Sequence, residues 1–451
     1  MNALYDYLSV GTDYLWDPGF GGIFFNDYWV LQDLLSDNCF ETLSSPEYRN
    51  ISEFRFTPDN QRFELYWQDL YKTINAANVV IAKVPNIEFN EQHRLHLESE
   101  ARFVRAMMYF ELVKYFGEVP LTITPTESAD EAFISRTNLD DVYNVIISDL
   151  EFAESNLSNN YRVGDGRPVP FAATALLGKV FLTKGDYDNA AEKLYDVIES
   201  GKFYLWPDYA DIFKISNMNS GEIIFAVNFS GTLSEGFKPN QYHVRLLPSG
   251  LDVDGEGPEN AHGLELPTDN LFNSFNPLDR RRSVTFITSY TYSDGTTINF
   301  EPHIGKFWDQ EAEPRGNNTN SDVIYLRYAD VLLMYAEALN ETNNGPTTEA
   351  YNAINEVRKR ARYNGVVEQN ILPDLSGLSY SEFCDAILNE RRLEFVMEGS
   401  RYNDLRRFGK LVEAVEASGK ENINPQDFHY LLPIPQRERD LNTKLTQNTG
   451  Y

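Results

Sequence analysis

Cysteine is nearly absent from this chain of 451 residues. Cys39 and Cys384 are the two present, too few for a disulfide framework or a cysteine metal site. One bridge between them is possible, and nothing in the sequence requires it. Basic charge is also scarce: 39 Lys and Arg face 68 Asp and Glu, a net charge of −29. Phosphate backbones need clustered Lys and Arg, so nucleic acid is excluded as a partner, and an anionic membrane surface would repel the chain. Long apolar runs are missing as well. Stretches such as "VVIA" at 79–82 fall far short of the roughly 18 residues of a membrane span.

Catalytic signatures are equally absent. No G-x-S-x-G, Walker loop, dinucleotide fingerprint or H-E-x-x-H occurs, and "GFGG" at 19–22 is a flexible turn without phosphate-loop context. His93 and His96 stand at i, i+3 on a polar helix face and are expected to be exposed. "DVDGEGPENAHG", 252–263, mimics the first half of a calcium loop through Asp252, Asp254, Glu256 and Gly257. Its twelfth position is Gly263, not the bidentate Glu such a loop needs, so it reads as a solvated acidic turn. No metal, cofactor or catalytic residue is assigned.

The start, "MNALYDYLSVGTDYLW", has neither a basic n-region nor an apolar h-region. Leu4, Tyr5 and Leu8 already carry helical spacing, as in a mature domain whose leader has been removed.

What is present is aromatic and helical. The 27 Tyr and 29 Phe mark a globular chain. Helical periodicity predicts helices at 60–83, 93–116, 139–157, 170–184 and 187–200. In the first, Phe63, Tyr66, Trp67, Leu70 and Ile74 share one face. Leu177-Gly178, Phe181 and Ala190 fit the tetratricopeptide spacing, in which small residues let two antiparallel helices approach closely. Residues 328–361 repeat the theme around Gly345-Pro346. Several helix pairs in one chain point to an α-solenoid-like scaffold. Residues 220–320 differ, with short β-like runs and a hairpin turning at Ser293-Asp294-Gly295. The stretch 9–58 is irregular too.

"LNERRLEFVMEGSRYNDLRRFGKL", 388–411, packs five arginines and four carboxylates between Glu390 and Arg407. Ser379 with Glu382 predicts a capping box and Gly399 a stop, which places Phe383, Ile387, Glu390, Glu394 and Met397 on one helical stripe. Two carboxylates on an apolar face require cationic partners, and Arg391, Arg401, Arg406 and Arg407 are the expected ones. A glycosidase pair must flank its bond from opposite sides, whereas adjacent turns of one helix place both on the same side. A structural ion network is therefore expected.

Function is left to binding. Aromatic rings in loops stack on pyranose faces while amides and carboxylates take hydroxyls. The candidates are Trp16, Phe24 and Tyr48 in the first irregular stretch and Tyr242, Tyr290, Tyr292 and Trp308 in the second. Each can equally be a ring that pins its loop to the scaffold. Trp67 and Trp206 are read as core.

Five segments together resemble the SusD/RagB family of outer-membrane nutrient-binding lipoproteins of Bacteroidetes. They are "EARFVRAMMYFELVKYFGEVPL" (100–121), "KGDYDNAAEKLYDVIESGKFYL" (184–205), "LRYADVLLMYAEALNE" (326–341), "NERRLEFVMEGSRYNDLRRFG" (389–409) and "YLLPIPQRERDLNTKLTQNTGY" (430–451). Ser400 and Thr449 depart from the family pattern, where His and Pro are common. The resemblance implies a mostly α fold, with a tetratricopeptide-like scaffold of about four helix pairs carrying an irregular loop and short-strand ligand insertion. One SusD-like domain would fill 1–451: scaffold mainly 60–215 and 320–412, ligand-face segments 9–58 and 220–320, family tail 425–451. It further implies a non-catalytic lid that binds an oligosaccharide and caps a TonB-dependent SusC-like barrel. A lipid anchor, on a Cys preceding residue 1, would hold it at the outer-membrane surface. A peptide-importing lid, a glycoside hydrolase and a purely structural partner-binding repeat are the alternatives.

Overall fold

The computed structural model describes residues 1–9, 22–42, 45–159, 166–218, 220–230, 240, 242–252, 261–309 and 319–451. Long helices run α1 (Gln61–Lys83), α2 (Glu91–Phe116), α3 (Leu139–Asn156), α4 (Pro170–Lys184) and α5 (Tyr187–Glu199). After a short α6 (Arg280–Thr285) come α7 (Tyr328–Asn343), α8 (Thr348–Arg362), α9 (Tyr380–Glu394) and α10 (Arg401–Arg407). Each of α1 to α4 packs on the next, α5 packs on α7, and α7 then packs on α8 and α9. The fold is mostly helical and built from antiparallel pairs.

Side-chain caps set the starts of these helices. Asn60, Asn90, Asn138, Asp186 and Thr347 each accept a hydrogen bond from a backbone N–H two or three residues on, which satisfies one of the orphan donors of a first turn. Ser379 and Glu382 form the reciprocal capping box of α9. The stripe Phe63, Tyr66, Trp67, Leu70 and Ile74 is buried. From Phe103 to Phe116, α2 is buried on every side, as expected for a helix with neighbours all round. In the α4–α5 pair, a Cβ on Gly178 would stand 2.6 Å from Leu194 Cγ. That contact is the physical content of the small-residue spacing.

Among the described residues, three two-stranded antiparallel sheets interrupt the helices. Strand β1 (Cys39–Glu41) pairs with β3 (Glu265–Pro267), β2 (Ile223–Val227) with β6 (Val323–Arg327), and β4 (Phe286–Thr291) with β5 (Thr297–Ile304). The β4–β5 turn closes through Tyr292 N–H to Thr296 O at 2.9 Å, with Gly295 at φ +86°, the backbone conformation glycine tolerates. One hydrophobic core runs from Leu4 to Leu445, and a second, smaller cluster lies under the β4–β5 hairpin.

Three expectations are corrected, and one open question is answered. Helix α9 ends at Glu394, so Met397 is not on its stripe and instead adopts φ +58°. The cause is tertiary: the Glu394 carbonyl accepts from Tyr209 Oη at 2.7 Å and from Arg327 Nη2 at 2.9 Å. His96 is buried, not exposed; its Nε2 faces Glu100 Oε1 at 2.7 Å and its Nδ1 accepts from Ser158 N. Trp206 is half-buried over Gly221, whereas Trp67 is in the core. Cys39 and Cys384 are both free.

Candidate functional site

The charge-rich segment is interior. Glu390 accepts from Arg281 at 2.6 Å and Arg358 at 2.8 Å. Glu394 accepts from Arg327 at 2.6 Å, from Arg281 at 3.2 Å and from Arg360. Arg327 also holds Glu222 and Glu398, Arg360 holds Glu222, Lys306 holds Glu398 at 2.7 Å, and Arg281 holds Asp279 at 2.8 Å. The five cations of this cluster, Arg281, Arg327, Arg358, Arg360 and Lys306, thus meet five carboxylates, Asp279, Glu222, Glu390, Glu394 and Glu398. Charge balance of this kind is what makes burial of ions tolerable. Burial alone would push the Glu394 carboxyl up, but Arg360, Arg327 and Arg281 outweigh it and hold it at about 2. Both Glu390 and Glu394 are fully buried, so no substrate reaches them.

Their partners are not the expected ones. Arg391 pairs with Asp330 and Asp404, Arg401 with Asp37, and Arg407 with Glu337 and Asp404. Arg406 makes no ion pair among the described residues, and its Nη1 is buried without an acceptor. Four of the cations that hold Glu390 and Glu394 come from α6, β6 and α8, far away in sequence, where helical spacing gives no sign of them.

The candidate rings separate into core and surface. Phe24 is fully buried and packs against Tyr28 and Tyr325. Tyr48 is buried, its hydroxyl accepting from Asn26 at 2.9 Å, with Arg62 and Arg245 over its faces. Tyr242 is sandwiched between Trp29 and Phe307, stacking on the latter at 4.0 Å and 3°. These three rings are structural and cannot meet a sugar. Trp16 lies outside the described residues. Tyr292 is buried at the edge of the hairpin, its hydroxyl donating to Gly250 O.

Tyr290 and Trp308 remain, both half-buried. Their centroids are 5.3 Å apart at 47°, and Tyr292 meets Tyr290 edge-on at 4.9 Å. Ile298, Phe300 and Ile287 pack with them over Leu247, Leu251 and Ala261. Register explains the set. Tyr290 is opposite Ile298, and Ile298 and Phe300 share one face by the strand's period of two. That alternation in "TINFE" was the sequence signal for the platform's other half.

Trp308 owes its position to its neighbours. Lys306 is drawn inward to Glu398 at 2.7 Å, Phe307 stacks on Tyr242, and Asp309 N donates to His243 Nε2 at 2.9 Å. Burial lowers the His243 pKa to about 4, which keeps that nitrogen an acceptor at neutral pH. Anchored on both sides, the turn holds the half-buried indole against Leu247, Leu251 and Ala261, and a ring fixed in advance costs little ordering on binding, the general advantage of a preorganised site.

A separate cavity of about 780 Å³ opens between Phe40 on β1, Pro267 on β3, Glu301 and Pro302 on β5, and residues 417–422. None of the rings selected from sequence lines it. Among the described residues no group of His, Cys, Asp and Glu is placed to hold a metal ion, and no helix is long and apolar enough to cross a membrane.

Comparison with known proteins fits this geometry. The profile of the SusD family matches residues 282–451, and a second, described as "Starch-binding associating with outer membrane", matches 30–182. SusD-like protein P25 of Formosa agariphila is 29% identical over 429 residues, covering 85% of this chain and 79% of its own. A SusD superfamily protein from Parabacteroides distasonis superposes with a TM-score of 0.84 at 25% identity, over 100% of this chain and 98% of that one. A laminarin-binding SusD-like protein, also 25% identical, gives 0.78 over 100% and 98%.

Proposed function

The chain belongs to the SusD family, and from that premise we propose that it binds a nutrient glycan at the Tyr290–Trp308 platform without cleaving it. The single observation carrying this reading is the half-buried ring pair, held on a hairpin and a turn that are themselves anchored to the core. Aromatic faces of this kind take the C–H faces of pyranoses. The name of the laminarin-binding relative gives the same ligand class. A non-catalytic role is supported by the fate of the carboxylates Glu390, Glu394 and Glu398, which are held in the interior by arginines and Lys306.

The proposal extends to location and partner. Attachment to the outer-membrane surface by a lipid anchor, with delivery of cargo to a TonB-dependent SusC-like barrel, accords with the family description "associating with outer membrane". Co-purification of the native protein with a barrel of that class tests the partner.

The ligand is tested by titrating the protein with a panel of plant, algal and host oligosaccharides, with short peptides as the competing class. Binding to at least one glycan, with no release of reducing ends on prolonged incubation, is the expected result. Peptide binding with no glycan binding would turn the reading to a peptide-importing lid, and reducing-end release would turn it to a hydrolase.

A further inference from the structure

The 780 Å³ cavity lies along the same strand as the ring platform, where β5 passes from Phe300 to Glu301 and Pro302. Phe300 packs with the platform, and the next two residues of the strand, Glu301 and Pro302, line the cavity. The two sites share a hairpin but no residue.

Three features of the cavity bear on its ligand. Its size falls within the range of small-molecule sites, roughly 300–1,000 Å³. Its wall carries Phe40, which is 36% exposed although most large hydrophobic side chains here are interior, together with the flat rings of Pro267 and Pro302. Asp269, Glu301 and Glu421 line it too, and among the described residues none of the three makes an ion pair. The two basic side chains on the wall balance them poorly. One is Arg49, and the other, Lys420, turns its ammonium inward to Leu34 O at 2.9 Å.

An exposed ring among apolar walls, bordered by acceptor-only carboxylates, matches a ligand that has both a C–H face and many hydroxyl donors. The surplus of negative charge, in a protein of net −29, opposes sulfate esters and uronates. We infer that this cavity is a second saccharide site, selective for neutral sugar units. The inference rests on the glycan-binding reading and goes beyond it in number of sites and in specificity. Two sites linked through one strand also raise the apparent affinity for a polymer over that for a short oligosaccharide, because the second contact is intramolecular.

Calorimetric stoichiometry tests it on the whole protein. The probe is laminaritriose first, then the neutral trisaccharide of whichever polysaccharide the glycan panel selects; a trisaccharide is used so that one ligand does not bridge both sites. Wild type is expected to bind two equivalents, Trp308→Ala one, Phe40→Ala one and the double variant none. The affinity of the remaining site should change less than about threefold, since sites without shared partners behave additively. The matching uronate trisaccharide is expected to fill the platform alone, and Asp269→Asn/Glu301→Gln/Glu421→Gln should admit it to the cavity. One equivalent in wild type, untouched by Phe40→Ala, would overturn the second site and leave the platform standing. One equivalent lost in Phe40→Ala and kept in Trp308→Ala would uphold the cavity and overturn the platform. Failure of every neutral glycan would overturn both.

Discussion

Trp308 and Tyr290 stand with ring centroids 5.3 Å apart and planes inclined at 47°, although 18 residues and a hairpin turn separate them in the chain. Neither ring is needed to close the main core, which is assembled without them. Trp308→Ala and Tyr290→Ala are each expected to weaken glycan affinity by tenfold or more, about 1.4 kcal/mol. Thermal unfolding should show a midpoint close to wild type. A large fall in the midpoint would mean that the rings serve packing.

Glu394→Ala should do the opposite. It removes one carboxylate from the interior cluster of five cations and five carboxylates and leaves a surplus positive charge beside Arg327, Arg360 and Arg281. Breaking a buried pair from one side costs roughly 3–5 kcal/mol. Urea unfolding at pH 7 is the measurement. The folded fraction should bind glycan as wild type does; lost affinity with intact stability would place Glu394 in the site.

The same carboxyl gives an acid signature. Held at about 2 against an ordinary 4.5, Glu394 contributes stability that is complete above pH 4.5 and drains as pH falls from there toward 2. The shift is worth roughly 3 kcal/mol. Stability measured against pH should therefore fall less steeply over that interval in Glu394→Ala than in wild type.

Asp322 carries the reverse sign. Burial pushes its carboxyl up to about 7, only partly offset by the Phe229 N–H it accepts at 2.9 Å. Its burden is absent below the ordinary carboxylate range, grows as pH rises from about 4 to 7, and is constant above. Asp322→Asn keeps an acceptor oxygen and removes the charge. The variant should match wild type at pH 4 and be more stable at pH 8, by on the order of 2–4 kcal/mol.

Gly399→Ala should destabilise by at least about 2 kcal/mol. Gly399 has φ +75°, and an added Cβ would stand 2.3 Å from the buried Tyr28 ring. An unchanged urea midpoint would refute that packing.

Much of the scaffold was legible in the sequence, and for local reasons. Caps such as Ser379 with Glu382, and stripes such as Phe63 to Ile74, act within a few residues of themselves, so the chain announces them. The ion network was legible only as a need for cations. Which arginines answered was decided by β6, α6 and α8 folding over α9, a long-range event without local periodicity. That event also ended α9 early, because Arg327 and Tyr209 claimed the Glu394 carbonyl. The rings were least legible. Phe24, Tyr48 and Tyr242 have the same composition and loop context as Tyr290 and Trp308, and only tertiary packing separates a buried ring from a presented one. The cavity lay beyond sequence reasoning, since its walls come from β1, β3, β5 and residues 417–422.

The central claim is that the Tyr290–Trp308 platform holds a glycan, and titration of wild type and Trp308→Ala with the glycan selected by the panel tests it most directly. The account predicts a saturable heat for wild type and, for the variant, affinity at that site reduced at least tenfold with the fold intact. Equal heats and affinities for both proteins would contradict it.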